Sequence, residues 1–197
     1  MLDSFEHDLL LEVASIAAGK TIKPITNVTG LTVSISSIQL VLEKMENIAD
    51  TMGNPDDQKT VVFIRIVGES NGAVVFLVNP SDVDSLLSSV EKNIRPSALE
   101  EVANIISGSS LGGLSRFLNI RLAQSIPQQK TDMLRAVINE IVTNIGLTNS
   151  QILCFAVNLK AGPSQIPISV YLLFDDTTSK LILESGKKQI HQNVITN

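Results

Sequence analysis

Apolar and polar positions along the chain follow two periods, and the same order of periods occurs twice. Asp8 to Ala14 reads as helix, continued by the small residues Ala17, Ala18 and Gly19. A β-branched stretch, Leu31 to Ile35, follows it. Val41, Met45, Ile48, Ala49 and Met52 then recur at helical spacing and predict an amphipathic helix over 41–52. Thr60 to Val67 and Ala73 to Val78 read as two strands, and Gly68-Glu69-Ser70-Asn71-Gly72 between them suits a hairpin turn. A short helix near 81–90 closes this first series.

The second series begins with a helix after Arg95, followed by a β-branched stretch over Ile120 to Ala123. Leu134, Val137, Ile138, Ile141 and Ile145 predict a helix over 130–146. Strands at Ile152 to Leu159 and Ile168 to Phe174 follow, joined by a loop containing Gly and Pro, with a short helix near 176–184. From Gly186 to Asn197 the chain is polar and is expected to fray.

Two segments make the duplication explicit. Glu12-Val13-Ala14-Ser15-Ile16-Ala17-Ala18-Gly19 aligns with Glu101-Val102-Ala103-Asn104-Ile105-Ile106-Ser107-Gly108, with five of eight positions identical at an offset of 89. The expected architecture is α+β with a pseudo-twofold internal repeat. About six mostly antiparallel strands would carry two long helices packed face to face across them. Halves of roughly 90 residues are marginal alone. One domain over 1–185, built from repeats at about 5–92 and 95–184, is therefore expected, with 186–197 as a tail.

Composition narrows the function. The chain is 44% hydrophobic and 18% charged, which supplies a core without disulfides. The single cysteine, Cys154, lies in an apolar run and reads as a buried thiol. With one Cys and only His7 and His191, a dedicated zinc site is not expected. A net charge of −5, no Trp and one Tyr disfavour a nucleic-acid partner. No apolar run reaches the roughly 20 residues of a membrane span, and the acidic N-terminus lacks a secretory pattern, so a cytoplasmic protein is expected.

The helix after Arg95 carries the candidate chemistry. Ser97 and Glu100 have the spacing of a capping box. Glu101 and Asn104 are then one turn apart on one face, while Leu99, Val102, Ala103, Ile106 and Leu114 occupy the opposite one. By residue type alone such a pair reads as ordinary solvated helix surface.

The pattern resembles that of the CheC, CheX and FliY proteins: Ser or Asp, Glu four residues on, Asn three further, and Pro 23 beyond the Asn. Ser97, Glu101, Asn104 and Pro127 match it at every position, within a repeat order that covers roughly residues 5–175. The first copy reads Asp8, Glu12, Ser15 and Ile38, so it keeps the acidic pair and lacks the Asn and the Pro. The resemblance implies phosphatase action on the phosphorylated response regulator CheY. The regulator would supply the phosphoaspartate, a bound Mg²⁺ and a lysine, and this chain would bind no cofactor. By the same resemblance Asn104 orients the attacking water and Glu101 pairs with the lysine, leaving one competent site. The alternative is an adaptor that binds the regulator, or CheD, without turnover.

Ala14, Gly19, Lys20 and Thr21 also satisfy a relaxed phosphate-loop spacing. The residues before them read as helix and not strand, and there is one glycine, so nucleotide hydrolysis is not expected. Lys20 and Lys23 are expected on the solvated side of a long helix.

Overall fold

A computed structural model describes residues 2–68, 70–146 and 151–195, with side chains described as far as residue 191. Helix α1 spans Ser4–Gly19 and α2 spans Ile22–Thr29; strand β1 follows at Val33–Lys44 and a one-turn helix α3 at Ile48–Thr51. The hairpin strands β2 (Gln58–Val67) and β3 (Gly72–Val78) come next, then the short α4 (Val83–Leu86). In the second half α5 spans Arg95–Leu118, β4 is Ala123–Gln124, β5 is Gln128–Met133 and α6 is Leu134–Asn144. Strands β6 (Gln151–Ala161) and β7 (Ile166–Phe174) and helix α7 (Asp176–Ile195) complete the chain.

Every strand pairing is antiparallel, in the order β1-β6-β7-β3-β2, with β4 and β5 both on the outer edge of β2. The two hairpins meet through β3 and β7, from Gly72 opposite Phe174 to Val78 opposite Ile168. Each half lends its remaining strand to the other half's hairpin: β1 pairs with β6, and β4 and β5 pair with β2. The pseudo-twofold therefore passes between β3 and β7, and neither half holds a complete sheet of its own.

Both faces of the sheet are covered, which is why its central strands read as nearly continuous apolar runs. Val62, Ile64 and Ile66 of β2 point to one layer, formed by α1, α2, α5 and α7. Val61 and Phe63 point to the other, against α3 and α6. On the first face Phe155 and Phe174 meet edge to face with ring centroids 5.5 Å apart. The two long helices pack on each other as the small residues imply: Ser110 Oγ donates to the Ala17 carbonyl at 3.2 Å, and Gly113 lies under the Lys20 stem.

Four expectations change. The helix over 41–52 is strand as far as Lys44, with only Ile48–Thr51 α-helical. The helix over 130–146 begins at Leu134, because Gln128–Met133 pair with β2. In both places an exposed ladder on a neighbouring strand takes up backbone groups that local spacing would have assigned to a helix. Among the described residues the sheet has seven strands where about six were expected, because the edge strand of the second half is split into β4 and β5. Finally, the helix near 176–184 runs on to Ile195 through the segment read as a polar tail. Gly186 there lies against Leu9 of α1, and Lys187 bonds Glu6 at 2.7 Å.

Candidate functional site on helix α5

Helix α5 starts two residues before Ser97. Pro96 sits in the first turn, where its missing N–H costs nothing and its fixed φ suits the helix. Arg95 anchors the start, its guanidinium donating to Asp84 Oδ1 at 2.7 Å and to the Val90 carbonyl at 3.1 Å. Ser97 consequently lies inside the helix and is exposed, so the capping box expected with Glu100 does not form. A capping box occurs instead on α1, where Asp3 and Glu6 exchange bonds of 2.8 and 3.1 Å. The Asp-x-x-Glu spacing at Asp3 was the available signal for it.

Leu99, Val102, Ala103 and Ile106 bury one side of α5. The opposite side carries Glu101, exposed, and Asn104, half-buried one turn later. Ser97 precedes Glu101 by one turn on the same side. Ile105 follows Asn104 and is 37% exposed.

The side chain of Asn104 is held from the sheet. Gln124, the last residue of β4, donates from Nε2 to Asn104 Oδ1 at 2.8 Å and to the Asn104 carbonyl at 3.3 Å. Pro127 explains why β4 stops there. It cannot donate to the ladder, and strand pairing with β2 resumes only at Gln128. The intervening Ser125 remains tied to Arg65, its N–H donating to the Arg65 carbonyl at 2.9 Å and its Oγ accepting from the Arg65 N–H at 3.1 Å. Ile126 projects from this break, 77% exposed. Gln124 itself carried no signal in the sequence. Its contact with Asn104 spans 20 residues and depends on the strand break that Pro127 imposes.

The first copy differs at each of these points. Asp8 and Glu12 are exposed on α1, and Asp8 lies 3.6 Å from His7 Nδ1. Ser15 Oγ donates to the Leu11 carbonyl of its own helix at 2.8 Å. Strand β1 passes Ile38 without a break, with only a bulge between Ile35 and Ser37. The structure thus brings Gln124 onto Asn104, one turn from Glu101, and among the described residues the Ser15 hydroxyl bonds only its own helix.

The remaining reactive groups are set apart from this face. The phosphate-loop spacing falls on α1 and its junction with α2, where Thr21 Oγ1 donates to the Ala18 carbonyl at 2.7 Å. Lys20 is exposed at that junction and not on a continuous helix. Cys154 is buried against the α3 and α6 layer, and burial pushes its thiol up to about 12. Among the described residues no three His, Cys, Asp or Glu converge as metal ligands, and no helix is long and apolar enough to cross a membrane.

No protein-family model matches the chain. It is 27% identical over 150 residues to the CheY-P phosphatase CheC of Bacillus subtilis (strain 168), covering 68% of this chain and 70% of that protein. Among solved structures it is similar to FliY of Thermotoga maritima, with a TM-score of 0.71 at 18% identity over 96% of this chain and 99% of that one. The chemotaxis protein CheX of Desulfovibrio desulfuricans aligns with a TM-score of 0.55 at 15% identity, covering 82% of this chain and 97% of that one. The FliM middle domain of H. pylori aligns at 0.61 and 9% identity, over 93% and 99%.

Proposed function

We propose that the chain is a member of the CheC, CheX and FliY family, to whose members it is similar in sequence and fold, and that it is a chemotaxis phosphatase that hydrolyses the aspartyl phosphate of a CheY-type response regulator. The observation that carries this reading is the pair Glu101 and Asn104, presented one turn apart on a helix whose other side is locked into the core.

Phosphoryl transfer asks the enzyme mainly for positioning and charge placement. The regulator brings the phosphoaspartate, its Mg²⁺ and its lysine; α5 brings the two polar side chains. A carboxamide suits water orientation because it donates and accepts hydrogen bonds and does not titrate. Asn104 orients a water in line with the phosphorus. The water oxygen bonds to phosphorus, the bond from phosphorus to the aspartyl oxygen breaks, and inorganic phosphate leaves with the regulator's carboxylate restored. Glu101 pairs with the regulator's lysine and sets the register of docking. Ile105, exposed next to Asn104 on α5, and Ile126, exposed at the strand break after Gln124, supply apolar contact that such docking desolvates.

The deciding experiment follows loss of phosphate from the cognate phosphorylated regulator. Asn104→Ala is expected to abolish the acceleration while regulator binding survives. Equal rates for variant and wild type would refute the mechanism. Binding without acceleration by the wild type would favour an adaptor instead.

A further inference from the structure

We infer that Gln124 is a positioning residue for the Asn104 carboxamide, holding its Oδ1 so that Nδ2 is the end left for the docked phosphorylated site. The inference rests on the reading of Asn104 given above and adds to it which way the amide faces and what fixes it.

Two acceptors of one residue converge on one nitrogen. Gln124 Nε2 lies 2.8 Å from Asn104 Oδ1 and 3.3 Å from the Asn104 carbonyl. The backbone carbonyl can only accept, so the Gln124 amide must present its nitrogen here. Asn104 must in turn present its oxygen, because turning it over would set one NH₂ against another. Among the described residues Asn104 Nδ2 has no protein acceptor, and it is the end directed away from Gln124.

The surroundings leave part of the Gln124 amide unsatisfied. Gln124 lies along α5 next to Gly108, one turn beyond Asn104, where a Cβ would sit 3.6 Å from its Oε1, an ordinary contact distance. That Oε1 is buried without a partner. An unpaired buried amide oxygen costs stability, and a leucine would fill the same space without that cost. Packing alone therefore does not account for a glutamine at this position.

The first copy supplies an internal control. At the offset of 89 that relates the two helices, Gln124 corresponds to Ile35 and Asn104 to Ser15. The amide and its holder are present together in one repeat and absent together in the other.

Steady-state dephosphorylation of the cognate regulator by Gln124→Glu and Gln124→Leu tests the inference. The first is nearly isosteric, but its carboxylate accepts only and turns the Asn104 amide over. Both variants are expected to lower kcat about tenfold, the size of one lost hydrogen bond, with KM unchanged. In an Asn104→Ala background either substitution is expected to change the rate by less than about twofold. A variant as fast as wild type, or a further loss in the Asn104→Ala background, overturns the inference. Side-chain amide ¹⁵N NMR of the wild type and Gln124→Glu gives a readout free of turnover. The Asn104 Nδ2 resonances are expected to shift between them, and unmoved resonances overturn the contact even in a protein found to lack phosphatase activity. A wild type that fails to accelerate hydrolysis while those resonances do shift refutes the phosphatase reading and not the contact.

Discussion

Ser15 stands where the internal repeat places Asn104, and its hydroxyl is bonded back to the Leu11 carbonyl at 2.8 Å, whereas the Asn104 amide oxygen accepts from Gln124 of a neighbouring strand. Two helices packed on each other thus carry the same Glu-Val-Ala context with their polar side chains bonded differently. The degeneracy of the first copy extends beyond residue type. The hydroxyl is shorter than the amide and spends its donor on its own helix.

Replacing that serine alone is accordingly expected to accomplish little. In an Asn104→Ala background, Ser15→Asn is expected to leave dephosphorylation of the regulator at the variant's basal rate. Ile35 offers no donor to hold the new amide, and β1 is unbroken beside it. Recovery of turnover by Ser15→Asn would mean that the α1 face docks the regulator and needs no holder.

The join between the two hairpins is sensitive at Gly72. A Cβ there would lie 2.0 Å from the Leu173 carbonyl oxygen and 3.1 Å from its carbon. The obstacle is backbone in a paired strand and cannot swing aside. Gly72→Ala is expected to lower stability by about 3 kcal/mol or more, measured as a shift of the urea midpoint at constant m-value.

Cys154 is expected to be chemically silent in the folded protein. Its thiol is enclosed between β6 and the α3 and α6 layer and held near 12 by burial, so almost no thiolate exists at neutral pH. Ellman's reagent should titrate one thiol in guanidinium and none in buffer. Rapid labelling in buffer would show that this layer opens.

Acid should weaken the clasp between α7 and α1. Glu6 accepts from Lys187 at 2.7 Å and from the Asp3 N–H at 3.1 Å, and these two bonds, in that order, hold its carboxyl below the ordinary range. A depressed carboxyl contributes stability above its unfolded pKa and loses it as pH falls through the folded value. Lys187 is raised by the same bond, so its share is present below the ordinary lysine pKa and fades only in strong alkali. The difference in urea midpoint between wild type and Glu6→Gln is expected to be widest near neutrality and to close in acid. A difference independent of pH would deny the clasp.

Local period was enough to reveal much of this protein. The spacing of apolar residues placed the helix carrying Glu101 and Asn104, and it placed both hairpins, because a helix face and a strand alternation are properties of adjacent residues. The duplication, visible as shared residues at a fixed offset, implied the pairing of the two long helices. Tertiary structure alone decided the edges. Val41 to Lys44 and Lys130 to Met133 fall inside stretches read as helix and became strand because β6 and β2 present open ladders to them. It also decided the start of α5, where the Arg95 bond to Asp84 and the fit of Pro96 prevailed over a capping signal at Ser97. The grip of Gln124 on Asn104 belongs to the same class. It joins a helix to a strand that ends because of a proline three residues farther on, and no local pattern encodes a contact between two elements that meet only when the sheet forms.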